Sequence, residues 1–341
     1  MTRGRRRQVD TSHQFCPNPD CVYRGWAGWG NLRANGHPNG GPWRQLLCVA
    51  CHRYFLETLG TIFHGKRASV ELIVRVIACL AEGLGIRGTA RVFEVEAHTG
   101  LQGLVEAAEQ LRAFAQHVLH DVRVRQVQLD ALCGLLSAGK EGTVSEAEAS
   151  ARLERAPQGV WAAMDPERTL LLALDVGDRT LAMAQRMVHH VAQVLAPDCA
   201  PLLLTDGFRE DLTALLTHDG QWVHPPRRQA TGPAPKPRWL PLPGRLYAQG
   251  GKTVRRQRLV AVQPRVVCGT IEAVNQVLSP LGWQSNTAFG ERLHRSLRHH
   301  GAAIGRRVST RCTGDEGLRQ QVALDHTYYN DASYCPISLC G

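Results

Sequence analysis

Four short apolar runs in the middle of the chain each stop on an aspartate, and this pattern narrows the possible folds more than any other feature. Val127-Gln-Leu-Asp130 alternates apolar and polar, the period of a strand with one covered face. Pro201-Leu-Leu-Leu-Thr-Asp206 is apolar almost throughout, as a fully buried strand requires. Between them, Val160–Asp165 and Thr169–Asp175 flank a Pro166-Glu-Arg168 turn and predict a hairpin. Thr180–Leu195 and Phe208–Thr217 carry helical periodicity. Strands interleaved with helices predict an α/β domain, a mixed sheet with flanking helices, over residues 121–341. The polar stretch Lys140–Glu154 predicts a loop inserted into it.

The acids raise the question of chemistry. Asp165 heads an Asp-Pro-Glu-Arg turn and is explained by turn formation. Asp175 precedes Val176-Gly-Asp-Arg179, where a strand is expected to enter a helix, and its expected role is to cap that junction. Asp130 and Asp206 remain, at the ends of the first and last strands. A third acid stands in Asn286-Thr-Ala-Phe-Gly-Glu-Arg-Leu-His-Arg-Ser-Leu-Arg298. In a helix, Phe289, Leu293 and Leu297 form one apolar stripe, and Glu291, His294, Arg295 and Arg298 fall opposite. A surface helix with Glu–Arg pairs would give the same spacing. Two strand-end aspartates and a helix-borne glutamate also suit two divalent cations roughly 4 Å apart, the arrangement for in-line displacement at phosphorus. Mg²⁺ takes hard oxygen ligands and keeps several waters, so Asp130, Asp206 and Glu291 would suffice to hold the pair, with Mn²⁺ able to substitute.

Towards the N-terminus, Cys16-Pro-Asn-Pro-Asp-Cys21 and Cys48-Val-Ala-Cys51 are spaced to put four thiolates around one structural Zn²⁺. The loop from Gly25 to Trp43 has no helical period and would hardly fold without such a staple. His52 follows a ligand and is expected to be a bystander. The chain holds 11 cysteines and begins Met-Thr-Arg-Gly-Arg-Arg-Arg with no apolar stretch behind, so a reducing compartment and metal ligation are expected. These features divide the chain into a basic arm at 1–12, a zinc ribbon at 13–66 and helices at 67–120. A helix is predicted from Ser69 to Ala81, a short one from Arg87 to Phe93, and a longer one from Leu101 to Leu119. Two helices joined by a brief turn form a helix-turn-helix layout, which makes Arg87 and Arg91 candidate DNA contacts; a plain helical bundle is the alternative.

Charge points to a polyanionic partner. Lys plus Arg number 40 against 30 Asp plus Glu, a formal charge of +10. Arg outnumbers Lys, an excess that suits phosphate forks and that a GC-rich genome also produces. Residues 221–270 hold ten Lys or Arg and no acid. Prolines break the first half of that segment, so an irregular, solvated, phosphate-gripping insertion is expected at 221–258, with Arg255, Arg256 and Arg258 as contacts. A strand-like Leu259–Val262, a helix from Thr270 to Leu278 and a tail with Tyr328-Tyr-Asn330 follow.

Taken together, Cys16/Cys21/Cys48/Cys51, Gly83–Phe93, Gln128-Leu-Asp130, Thr205-Asp-Gly207, Asn286–Arg292 and Tyr328–Asn330 resemble the insertion-sequence-one-type DDE transposases over nearly the whole chain. The resemblance implies an RNase H-like catalytic domain behind a zinc ribbon and a helix-turn-helix. It implies that Asp130, Asp206 and Glu291 form the metal-binding triad and that Arg292, Arg295 and Arg298 hold DNA beside it. It further implies cleavage and strand transfer at terminal inverted repeats, double-stranded element-end and target DNA as partners, a homo-oligomer on DNA, and a nucleoid-associated place in a prokaryotic cytoplasm, away from membranes. The chain departs from the family at Ala131, at His294 and in its Pro336–Gly341 ending. A catalytically inactive, DNA-binding regulator and a simple nuclease are the competing readings.

Overall fold

A computed structural model of the chain describes residues 9–66, 68–133, 158–226, 235–255, 258–281 and 315–333, with Leu293, Ser296 and Leu297 besides. The predicted insertion at 140–154 and most of the basic arm lie outside them. The chain divides into two units, Met1–Ala78 and Cys79–Gly341.

In the first unit, β1 (Leu32–Ala34), β2 (Gln45–Cys48) and β3 (Tyr54–Leu56) form an antiparallel sheet in that order. Its core is small: Leu32 and Leu46 are buried with Cys16, Cys21 and Cys48, and Tyr23, Cys51 and Phe55 pack around them. A core of this size needs a further cross-link to hold. Helix α1 (Val70–Ala81) opens where Ser69 Oγ accepts a hydrogen bond from Leu72 N at 3.3 Å, the expected N-cap.

The second unit is mixed α/β. Helices α2 (Ile86–Phe93) and α3 (Ala97–Val118) are joined through Glu94, whose left-handed φ of 53° ends α2. Helix α3 begins at Ala97 rather than Leu101, and its first turn carries the buried Gly100 against Ile86 of α2. The sheet follows: β4 (Gln126–Cys133), β5 (Gln158–Asp165), β6 (Leu170–Asp178) and β7 (Leu202–Thr205). A small ribbon, β8 (Gly220–Val223) and β9 (Arg238–Pro241), precedes β10 (Leu246–Arg255) and β11 (Arg258–Cys268). Strand order in the six-stranded sheet is β11-β10-β7-β4-β5-β6. β7 runs parallel to both β4 and β10, and the remaining pairs are antiparallel. Helices α4 (Leu181–Val194), α5 (Arg209–Asp219), α6 (Ile271–Leu278) and α7 (Asp315–Ser333) complete the described elements.

Strand alternation sends successive side chains to opposite faces. Val127, Leu129, Trp161 and Ala163 meet Met183, Met187 and Val191 of α4 and Ala214 and Leu215 of α5. On the other face Val160 and Val176 meet Leu318 and Val322 of α7, and Leu202, Leu204 and Ala248 meet Val274 and Leu278 of α6. Each Leu or Val so buried contributes about 1.5–3 kcal/mol. Ala162, Met164 and Leu171 pack against Leu293 and Leu297, both 2% exposed. Two members of the predicted apolar stripe thus lie on the sheet.

Three local expectations are corrected. Among the described residues the acid-free segment is not irregular: it supplies most of β8 to β11. Strand pairing uses backbone groups, so charge does not forbid it, and Tyr247 and Ala248 are buried where β10 lies beside β7. β11 pairs among the described strands with β10 alone, and edge strands tolerate charge and a proline such as Pro264. Next, β6 continues through Asp175 to Asp178, so Asp175 does not end a strand. Its carboxylate instead pairs with Arg186 Nε at 2.8 Å, tying α4 to β6. Finally, Tyr328–Asn330 sit not in a tail but in α7, which buries Leu318, Val322 and Leu324.

Candidate functional site

The thiol sulfurs of Cys16, Cys21, Cys48 and Cys51 all lie within 4.8 Å of one another. Cys16 Sγ is 3.6 Å from Cys51 Sγ, and Cys21 Sγ is 3.8 Å from Cys48 Sγ. A tetrahedron with metal–sulfur bonds of 2.3 Å has edges of about 3.8 Å, so the donor set fits a structural metal such as zinc. Burial pushes the Cys16 thiol up to about 12, while neighbouring thiols add to the rise. Burial also acts upward on Cys48, but N–H groups of Cys51 and Ala50 and the Asn31 amide outweigh it and bring that thiol down to about 6. Asn31 Nδ2 stands 3.5 Å from Cys48 Sγ, an outer donor of the kind that orients a metal ligand. His52 has a left-handed φ of 56° and donates its N–H to Cys48 O at 2.9 Å, so its part is to close the turn.

The second site grows from the register of β4 and β7. Leu129 pairs with Thr205 in parallel across a strand spacing of about 4.8 Å, so Asp130, which lies within β4 rather than at its expected end, neighbours Asp206, the first residue past β7. Asp130 also faces Ala162 across the antiparallel β4–β5 pair, and Ala162 belongs to the cluster that holds Leu293 and Leu297. Gly207, at φ 93°, turns the chain out of β7 towards α5. Asp206 Oδ1 accepts from Phe208 N at 3.1 Å, and its Oδ2 pairs with Arg179 Nη2 at 3.0 Å. The Arg179 guanidinium lies over the Phe208 ring, 4.7 Å from its centroid, and Phe208 meets Trp161 edge-on.

Behind Asp206 stands Asp211 on α5, only 6% exposed. Burial, reinforced by the Asp206 charge, pushes its carboxyl up to about 7, against a hydrogen bond from Thr205. Gln249 Nε2 donates to Tyr247 Oη at 2.8 Å, and Tyr247 Oη lies 2.9 Å from Thr205 Oγ1. With Gln249 donating in, the Tyr247 proton points to Thr205 and the Thr205 proton to Asp211, a polarised chain from β10 to the acids.

Glu291, Arg292, Arg295, Arg298 and Arg256 lie outside the described residues. Arg255 and Arg258 face each other at the end of the β10–β11 hairpin. Arg87 and Arg91 are exposed one turn apart on α2. Asp165 is buried, its Oδ1 accepting from Glu167 N at 3.0 Å and its Oδ2 paired with Arg168, as its turn role requires. Sequence reasoning passed over Asp211 and Arg179. Asp211 reads as an ordinary acid in a first helical turn, and nothing local shows that it is buried behind another carboxylate.

No protein-family model matches the chain, and a search of curated proteins finds none similar to it. Among the described residues no helix is long and apolar enough to cross a membrane.

Proposed function

We propose that the protein is a DDE-type transposase that binds the ends of an insertion sequence and catalyses metal-dependent DNA cleavage and strand transfer. One observation carries the reading: the Leu129–Thr205 register, which sets Asp130, inside β4, beside Asp206, the first residue past β7. The meander β6-β5-β4, continued by parallel β7 and β10, supports an RNase H-like sheet. The packing of Leu293 and Leu297 beside Ala162, the register partner of Asp130, supports a place near the same strands for the segment that contains them. The donor set suits hard divalent cations such as Mg²⁺; burial is the main cause of the rise at Asp211, and a cation at Asp206 would relieve the smaller part that comes from the Asp206 charge. Asp130, Asp206 and Glu291 would hold the ions, which would supply Lewis acidity and an activated water at the phosphodiester. Arg179 orients Asp206 and, once that carboxylate is engaged elsewhere, offers its fork to a phosphate. The four-cysteine group would hold the zinc of an end-binding module, with Arg87 and Arg91 on α2 and Arg255 and Arg258 on the hairpin meeting phosphates.

The test is cleavage and joining of duplex DNA carrying the sequences that flank the reading frame. Asp206→Asn keeps shape and loses charge, so cleavage should fall at least ~100-fold with DNA binding retained. Cleavage persisting in that variant would overturn the assignment. A second reading, an inactive DNA-binding regulator, is favoured by the Arg179–Asp206 pair at 3.0 Å, which already neutralises one acid. It predicts a wild type that binds element ends yet cleaves with neither Mg²⁺ nor Mn²⁺.

A further inference from the structure

The β8–β9 ribbon carries two tryptophans that the sheet core does not absorb. Trp222 and Trp239 are direct cross-strand partners, their rings 5.5 Å apart at 61°. They remain 52% and 38% exposed. The ribbon is anchored elsewhere. Helix α5 runs straight into β8 at Gly220, where a Cβ would stand 2.2 Å from Leu216 O, and Leu242 N donates to Asp219 O at 3.0 Å. Arg245 Nη2 adds an ion pair to Asp219 at 3.1 Å.

The ribbon's free charges are cationic: Lys236 and Arg238 precede Trp239, with Arg238 on the opposite face of β9, and His224 shares the face of Trp222. His224 stands edge-on to Trp222, and His224, Lys236 and Arg238 are all exposed. No Asp or Glu occurs anywhere in 221–270. A protein partner docking on two tryptophans would need little positive charge around them. Aromatic faces amid cations match a chain that alternates flat bases with phosphates. A duplex keeps its base faces stacked and hidden, so the match is to unpaired bases.

We infer that the β8–β9 ribbon is a stacking platform for unpaired DNA bases, with Trp222 and Trp239 as the stacking faces and Lys236 and Arg238 as phosphate contacts where the strand passes over the ribbon's edge. It rests on the nucleic-acid reading above and adds a preference for strand state. The test is tryptophan fluorescence of the full chain titrated with an oligothymidylate, an abasic oligonucleotide of equal length and charge, and a duplex. Oligothymidylate should quench and bind at least about fivefold more tightly than the abasic strand, since only stacking tells them apart. Trp222→Ala with Trp239→Ala should erase that preference, whereas Trp222→Phe with Trp239→Phe should keep part of it. Circular dichroism of both variants checks that the unit still folds. Equal affinity for the two single strands, or a preference surviving in the alanine variant, overturns the inference. Magnesium-dependent cleavage is followed on the same preparations. Base-dependent binding by a chain that never cleaves supports the platform while removing the enzyme; cleavage without base preference removes the platform alone.

Discussion

Among the buried carboxyls of the second unit, Asp325 and Asp211 are the ones pushed furthest towards neutrality. Asp325 on α7 accepts from Gln321 Nε2 at 2.8 Å through Oδ1, its Oδ2 has no partner among the described residues, and burial pushes it up to about 7. Asp211 is raised to about 7 by burial and the Asp206 charge. In both, the native state holds a proton that the unfolded chain releases near pH 4. Stability from these groups is therefore complete below pH ~4 and is lost as pH rises towards 7, at up to ~1.4 kcal/mol per pH unit for each group. Asp325→Asn keeps the acceptor and removes the titration. Urea unfolding between pH 4 and 7 should show a shallower decline for this variant than for wild type. Adding Asp211→Asn should flatten the decline further; superimposable profiles would put both carboxyls in the ordinary range.

At the scale of elements, the contact between α7 and β6 turns on one amide. The β5–β6 ladder slips between Ala163 and Met164, leaving Leu172 without a ladder partner. Asn330 Oδ1 accepts from Leu171 N, and its Nδ2 donates to Leu171 O, both at 2.9 Å. His326 Nε2 lies 2.8 Å from the same carbonyl, which can only accept, so the imidazole carries its proton there. Burial lowers the His326 pKa, in keeping with a neutral ring. Asn330→Ala orphans a buried N–H and should cost about 1–3 kcal/mol, read as a lowered melting temperature. Helix starts, by contrast, are local. Ser69, Thr180 and Thr270 each accept from a backbone N–H three residues on, as their positions ahead of apolar periodic runs predict.

For the molecule as a whole, the two units draw stability from different sources. The second has extended apolar clusters on both sheet faces. The first has a handful of buried residues around four thiols, so bound metal would supply folding energy there that burial cannot. Purified protein should hold about one zinc per chain, and Cys48→Ser should lose it. A chelator should unfold the first unit and expose it to protease while the second keeps its transition. A metal-free preparation with an unchanged first-unit transition would end this account.

What the sequence determined is what neighbours a few residues apart can impose. The period of Val127–Asp130, the Cys16/Cys21 and Cys48/Cys51 spacings, the caps, and the stripe containing Leu293 and Leu297 are all of this kind. Each follows from backbone geometry acting over one or two turns. Pairings over long separations were decided by the tertiary structure. Nothing near Asp130 states that β4 lies against β7 in the one register that puts Asp130 beside Asp206; a slip of one residue would turn the apolar set of β4 to the wrong face. Nothing in the glycine-containing, cationic run 246–255 announces a strand that seats Tyr247 in the core. Asp211 looks like any acid at a helix start, and its protonation near neutrality arises only because the fold buries it behind a second carboxylate. Periodicity is a property of the chain, whereas register, burial and charge proximity belong to the packed molecule, where distant segments compete for the same covered surface.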